Sequence, residues 1–167
     1  MKTQAKRTAL LGVLTAVALV LSYVEAILPP IYSAVPGIKM GLPNIIIIFM
    51  LYKFSIKETA VVSLFRVVIV TMLFGNVMML AYSLAGAVLS LSVMTALKKI
   101  DRFSTVGVSI AGGVFHNLGQ VLVAMLLLDS AQIGYYMLVL AITGTIAGGF
   151  IGLAGAYLLK RTEKLEI

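Results

Sequence analysis

The sequence predicts an all-α membrane protein, a bundle of six transmembrane helices with both termini on the cytoplasmic side. Three observations carry this expectation: the apolar composition, six apolar runs separated by Pro, Gly or charged breaks, and the one-sided placement of Lys and Arg. Of 167 residues, 61% are hydrophobic and 11% charged, against roughly 45–50% and about 25% in an ordinary soluble domain. A water-soluble fold has no place for that much apolar surface. No linker or charge block divides the chain, so residues 1–167 read as a single integral membrane domain.

A hydrocarbon core about 30 Å thick is crossed by about 20 helical residues, fewer where a segment is buried or the bilayer thins. Six runs meet this test, at residues 8–28, 37–52, 57–74, 77–97, 106–128 and 135–159. The first follows Lys2, Lys6 and Arg7 as a secretory signal would. Its apolar stretch exceeds the roughly 7–15 residues of a signal's core, so it reads as a retained helix. Pro29-Pro30 and Pro36-Gly37 break the chain before the second run, a short connection at 52–56 precedes the third, and Gly75-Asn76 turns it before the fourth. The charged stretch 98–104 and the loop 129–134 bound the fifth.

Basic residues near helix ends are retained on the cytoplasmic side. With the N-terminus inside, that face collects Lys2, Lys6, Arg7, Lys53, Lys57, Lys98, Lys99, Arg102, Lys160, Arg161 and Lys164. The outer face keeps only Lys39, and Arg66 falls inside a helix. The net charge of +7 is therefore a topology signal and not a nucleic-acid footprint, since the basic residues sit in clusters between apolar runs.

Helices in a bilayer associate where small residues let backbones approach. The last run carries Gly144, Gly148, Gly152 and Ala156 on one stripe, which suits packing within the bundle. The first carries Ala9, Gly12 and Ala16, which suit either bundle packing or a partner's docking face.

Ionisable and polar groups at membrane depth mark partners, cavities or pathways. Arg66 lies about nine residues into the third run, near the midplane at roughly 1.5 Å per residue. It serves as a ligand contact or is held structurally by helix-end carbonyls or by Glu25. His116 and Gln120, four apart, share one face of the fifth run, with Asn117 at its edge. Lys39 and Asn44 flank the start of the second. The candidate substrate-binding set is thus Lys39, Asn44, Arg66, His116, Asn117 and Gln120, in the outer half of the bundle. Its positive members favour an anionic ligand.

No catalytic residue set is evident. The chain lacks a phosphate-binding G-x-x-x-x-G-K-[ST] loop, a nucleophile triad and paired carboxylates. With no cysteine and one histidine, no metal site and no cofactor are expected. No selectivity-filter repeat and no pair of related halves argues for a channel or a self-sufficient carrier.

Four segments carry a family resemblance: Pro36-Gly37-Ile38-Lys39-Met40-Gly41-Leu42-Pro43-Asn44, Ser63-Leu64-Phe65-Arg66, Ser90-Leu91-Ser92-Val93-Met94 and Gly113-Val114-Phe115-His116-Asn117-Leu118-Gly119-Gln120. Together they resemble the membrane family labelled heptaprenyl diphosphate synthase component I, also called the Gx transporter family. That family is similar to the substrate-binding S components of energy-coupling factor transporters. The resemblance implies a multi-pass protein of a bacterial inner membrane that captures a small molecule from outside. A transmembrane coupling subunit and ATPases would be its partners, with Ala9, Gly12 and Ala16 as the docking face. The family label implies an alternative, a non-catalytic membrane accessory subunit of a polyprenyl diphosphate synthase. The aspartate-rich motifs that hold magnesium and diphosphate in such enzymes are missing, since the chain has only Asp101 and Asp129.

Overall fold

The computed structural model describes residues 2–27 and 41–163. These residues form α1 (Lys2–Ile27), α2 (Asn44–Lys53), α3 (Ile56–Phe74), α4 (Val77–Ile100), α5 (Thr105–Leu127) and α6 (Met137–Arg161), with a 3₁₀ turn at Ala131–Tyr136. Among the described residues there is no strand.

The helix starts are written in the sequence. Ser55 opens α3 with a reciprocal capping box, its hydroxyl accepting from the Glu58 amide while the Glu58 carboxylate accepts from the Ser55 amide. Asn76 Oδ1 accepts from Met79 N at 2.9 Å to start α4, and Ser104 Oγ accepts from Gly107 N at 3.2 Å to start α5. Lys98 and Lys99 occupy the last turn of α4, where positive charge suits the exposed carbonyls.

The second helix starts later than its apolar run. Residues 37–40 lie outside the described part of the chain. Gly41 then adopts φ +74° and Pro43 precedes the first helical residue, so the helix begins at Asn44. The final helix likewise starts at Met137 behind the 3₁₀ turn and extends to Arg161.

Among the described residues, four stretches are long and apolar enough to cross a membrane: Gln4–Ile27, Val77–Ile100, Thr105–Leu127 and Ala131–Arg161. The other two helices fall short for separate reasons. α3 has 19 residues but carries Lys57, Glu58 and Arg66. α2 has ten residues, about 15 Å of rise, half the hydrocarbon thickness. It is apolar all round, the pattern of a helix enclosed on every side. Ile46 through Leu51 are all buried accordingly.

Glycines set the closest approaches. A Cβ on Gly113 would meet Gly144 O at 2.5 Å, one on Gly148 would meet Ile110 Cα at 2.7 Å, and one on Gly152 would meet Val106 Cα at 2.7 Å. The predicted glycine stripe of α6 therefore packs on α5 within the chain. α4 meets α5 the same way, since a Cβ on Gly119 would lie 2.7 Å from Ala85 O. Side chains such as Val13, Leu126, Leu138 and Phe150 point outward. That apolar exterior suits lipid and not water.

Three side-chain contacts gather the basic ends of the helices. Arg7 donates from Nε and Nη2 to the two Glu58 oxygens at 2.9 and 2.8 Å, joining the starts of α1 and α3. Lys53 Nζ donates to Thr162 O at 2.8 Å, and Lys98 Nζ to Leu51 O at 2.5 Å, tying the ends of α2, α6 and α4. The Arg7–Glu58 pair is partly exposed, so its contribution is screened by salt. Glu58→Arg is expected to loosen α1 from α3, and the swap Arg7→Glu/Glu58→Arg to restore part of the loss. A double-mutant cycle on detergent unfolding at two salt concentrations reads both effects.

Candidate functional site

Among the described residues, the candidate polar side chains fall into two sets. Arg66 and Asn44 form the first. Asn44 precedes Lys53 by nine residues and Arg66 follows Ile56 by ten, so each stands roughly 14–15 Å from the basic end. This shared depth lets α2 and α3 bring them together. Arg66 Nη2 donates to Asn44 Oδ1 at 3.3 Å, and the Arg66 side chain is only 8% exposed. Its Nε has no hydrogen-bond partner among the described residues. An unmet buried donor costs about 1–3 kcal/mol, and more when charged.

Glu25, half-buried near the end of α1, is the acid that this cation feels. It interacts electrostatically with Arg66, and its carboxylate accepts from the backbone N–H of Gly41 in the turn leading to α2. The glycine there is required twice over. Its φ of +74° disfavours a side chain, and an added Cβ would lie 3.1 Å from both Asn44 Nδ2 and Ile151 Cδ1. Lys39 lies outside the described residues.

The second set is on α5. His116 and Gln120 both pack on Gly86 of α4, where a Cβ would meet His116 Cε1 at 3.0 Å and Gln120 Cγ at 3.1 Å. Asn117 turns the other way, its Nδ2 donating to Leu140 O of α6 at 2.7 Å. Interhelical side-chain bonds of this kind contribute about 0.6–2 kcal/mol in a bilayer. Asn117→Leu is expected to lower stability by about 1 kcal/mol, read by thermal unfolding in detergent, while Gln120→Leu should cost less.

The partners missing from the sequence reading are Gly41, Gly86 and the Leu140 carbonyl. Gly86 carried a local signal, a glycine mid-helix where alanine would be the better helix former. A backbone acceptor on another helix carries none.

Ala9, Gly12 and Ala16 are all exposed, and nothing lies within 4 Å of where a Gly12 Cβ would be. An open groove of about 260 Å³ runs between α3 and α4, lined by Ile56, Leu64, Ala87, Val88, Leu91, Ser92 and Thr95. Among the described residues no three His, Cys, Asp or Glu side chains come together as a metal site would need.

The family described as heptaprenyl diphosphate synthase component I matches residues 14–158, which include both polar sets and most of the chain. The chain belongs to the heptaprenyl diphosphate synthase component I family. The match covers α2 to α5 whole, so the Arg66–Asn44 pair and the His116–Gln120 face both lie within the family's extent. No curated protein and no solved structure matches the chain.

Proposed function

We propose that this component I family member is a non-catalytic membrane subunit that holds a small or isoprenoid-like molecule in its bundle and works with separate partner proteins. The observation that carries the reading is the buried Arg66, whose Nε has no hydrogen-bond partner among the described residues, in a sequence with no recognisable catalytic residue set. The family's name supports a polyprenyl diphosphate synthase as the partner, with the membrane subunit anchoring the catalytic chain or receiving its lipid product. The apolar groove between α3 and α4 suits a hydrocarbon chain.

A second reading is an S component of an energy-coupling factor transporter, favoured by the open small-residue face of α1. There Ala9, Gly12 and Ala16 meet a coupling subunit, and Lys39, Asn44, Arg66, His116, Asn117 and Gln120 surround the substrate. Prenyl transfer by the soluble synthase, assayed with and without this protein in vesicles, separates the readings. Stimulation or product capture supports the first. No effect on the synthase, together with co-purification of ATPases and a coupling subunit, supports the second. If neither partner binds, both fall.

In either case we propose that the protein sits in the bacterial cell membrane with its basic end and both termini on the cytoplasmic side and all six helices crossing or entering the bilayer. The absence of cysteine makes this readily testable. A membrane-impermeant maleimide is expected to label Asn76→Cys in intact cells, and Lys99→Cys only after permeabilisation. The reverse pattern would overturn the orientation.

A further inference from the structure

We infer that the α3–α4 groove binds an anionic glycerophospholipid of the leaflet at the basic end, one acyl chain lying in the groove and the phosphate held between Lys57 and Lys99. The site belongs to the chain as a membrane protein and does not depend on which partner the chain serves.

α3 and α4 run antiparallel from the turn at Gly75-Asn76, so counting from the turn sets Leu64 level with Ala87 and Ile56 level with Thr95. All four line the groove. It therefore runs along eight residue steps of each helix, about 12 Å of rise, in the half of the bundle nearer the basic end. Its open side is apolar, with Val88 54% and Ile56 40% exposed. Two hydroxyl residues line it without offering it a donor. Ser92 Oγ donates to Val88 O of its own helix at 2.8 Å, and Thr95 Oγ1 is enclosed, so Thr95 gives the groove only carbon. Such a wall fits methylenes and has nothing for a polar ligand.

Helical spacing then puts a cation at the end of each wall. Lys99 follows Ser92 by seven residues and Thr95 by four, and Lys57 precedes Leu64 by seven, so both share the groove's face. Both are exposed, and neither has an ion-pair partner among the described residues. The neighbouring charges are already placed. Lys53 and Lys98 donate to backbone carbonyls, and Glu58 is bound to Arg7. Asp101, exposed at the end of α4, has the exposed Arg102 beside it. Two uncommitted ammonium groups at the end of an apolar slot match a phosphate at the end of a hydrocarbon chain, their stems lying along the wall and their tips at headgroup level. A zwitterionic lipid brings the same chain without net charge, so the lysines set the preference. Near an anionic surface each is worth about fivefold in affinity.

The test uses the full chain in vesicles with tryptophan as a reporter, since the sequence has none. Val61, 66% exposed between Lys57 and Leu64 on α3, takes the reporter, and Phe150, 72% exposed on α6, takes the control. Quenching is read with phosphatidylglycerol and phosphatidylcholine brominated on their acyl chains. At Val61→Trp the anionic lipid is expected to bind at least tenfold more tightly than the zwitterionic one, against less than threefold at Phe150→Trp. Adding Lys57→Gln and Lys99→Gln should bring the first ratio down to the second while phosphatidylcholine still quenches. Equal ratios at the two reporters, or a Val61→Trp ratio unmoved by the double substitution, would overturn the site. So would geranylgeranyl diphosphate displacing the brominated lipid at lower concentration than dioleoylphosphatidylglycerol does, since the groove would then belong to an isoprenoid diphosphate. A lysine-dependent preference found while both partner assays fail would leave the lipid site standing and remove the subunit reading.

Discussion

Gly148→Leu is expected to prevent α5 and α6 from docking, leaving little folded protein. The obstacle is steric. A Cβ at this position would already stand 2.7 Å from Ile110 Cα and 2.8 Å from Ser109 O. Both are backbone atoms of a packed helix and cannot swing aside as the end of a flexible side chain would. Overpacking by a few methylenes typically costs about 1–3 kcal/mol where side chains can yield, so four added carbons against backbone should cost at least about 3 kcal/mol. The interface offers no nearby relief, because Gly113 and Gly152 approach the opposing helix equally closely. Gly149 is the internal control. Nothing lies within 4 Å of its Cβ position, so Gly149→Ala should be neutral or stabilising by up to about 1 kcal/mol through helix propensity. Size-exclusion profiles and thermal unfolding followed by circular dichroism would read both variants. If Gly148→Leu unfolds where the wild type does, the close α5–α6 packing is wrong.

The contrast between neighbouring glycines shows what kind of information the sequence holds. Small residues four apart on α6 announced a close-packed face, because in lipid only close backbone approach gives helices a strong reason to associate. The capped starts of α3, α4 and α5 were equally local, each set by one Ser or Asn and the amide three residues on. The start of α2 was misplaced, because Gly41 and Pro43, which set it, sit inside an otherwise apolar run that reads as one continuous helix.

The candidate site was readable only as residue types. Arg66 at mid-depth had to be satisfied by something, and Glu25 had the right charge, but the bond to Asn44 joins residues 22 apart on different helices. His116 and Gln120 were placed on one face by helical spacing, and both do meet Gly86. That Asn117 faces α6 follows from its angular offset, yet its acceptor, the Leu140 carbonyl, is present at every position of every chain and so leaves no mark. Pairings across helices depend on which faces meet, and an apolar pattern as uniform as that of α2 says only that all its faces are covered.

Arg66 decides the energetics of that covered region, and Arg66→Ala should show it. The substitution removes a cation that interacts with Glu25, leaves Asn44 Oδ1 without the Arg66 donor and opens a space where a long side chain was. Truncating a long buried side chain commonly costs about 2–5 kcal/mol, and the half-buried Glu25 adds an electrostatic share smaller than that of a fully buried pair. If that share is part of the loss, then removing the second charge must return part of it. Glu25→Gln alone should therefore destabilise, while Glu25→Gln/Arg66→Met, with no charge left and similar volume, should lie well above either single charge deletion. Equilibrium unfolding of the four proteins in mixed detergent gives the coupling directly. A coupling indistinguishable from zero would mean that Arg66 is balanced by something other than Glu25. A large coupling in a double variant that folds but no longer retains a ligand would separate the two roles of this side chain. A coupling confined to stability would leave Arg66 as a residue of the bundle's packing, held through Glu25 and Asn44.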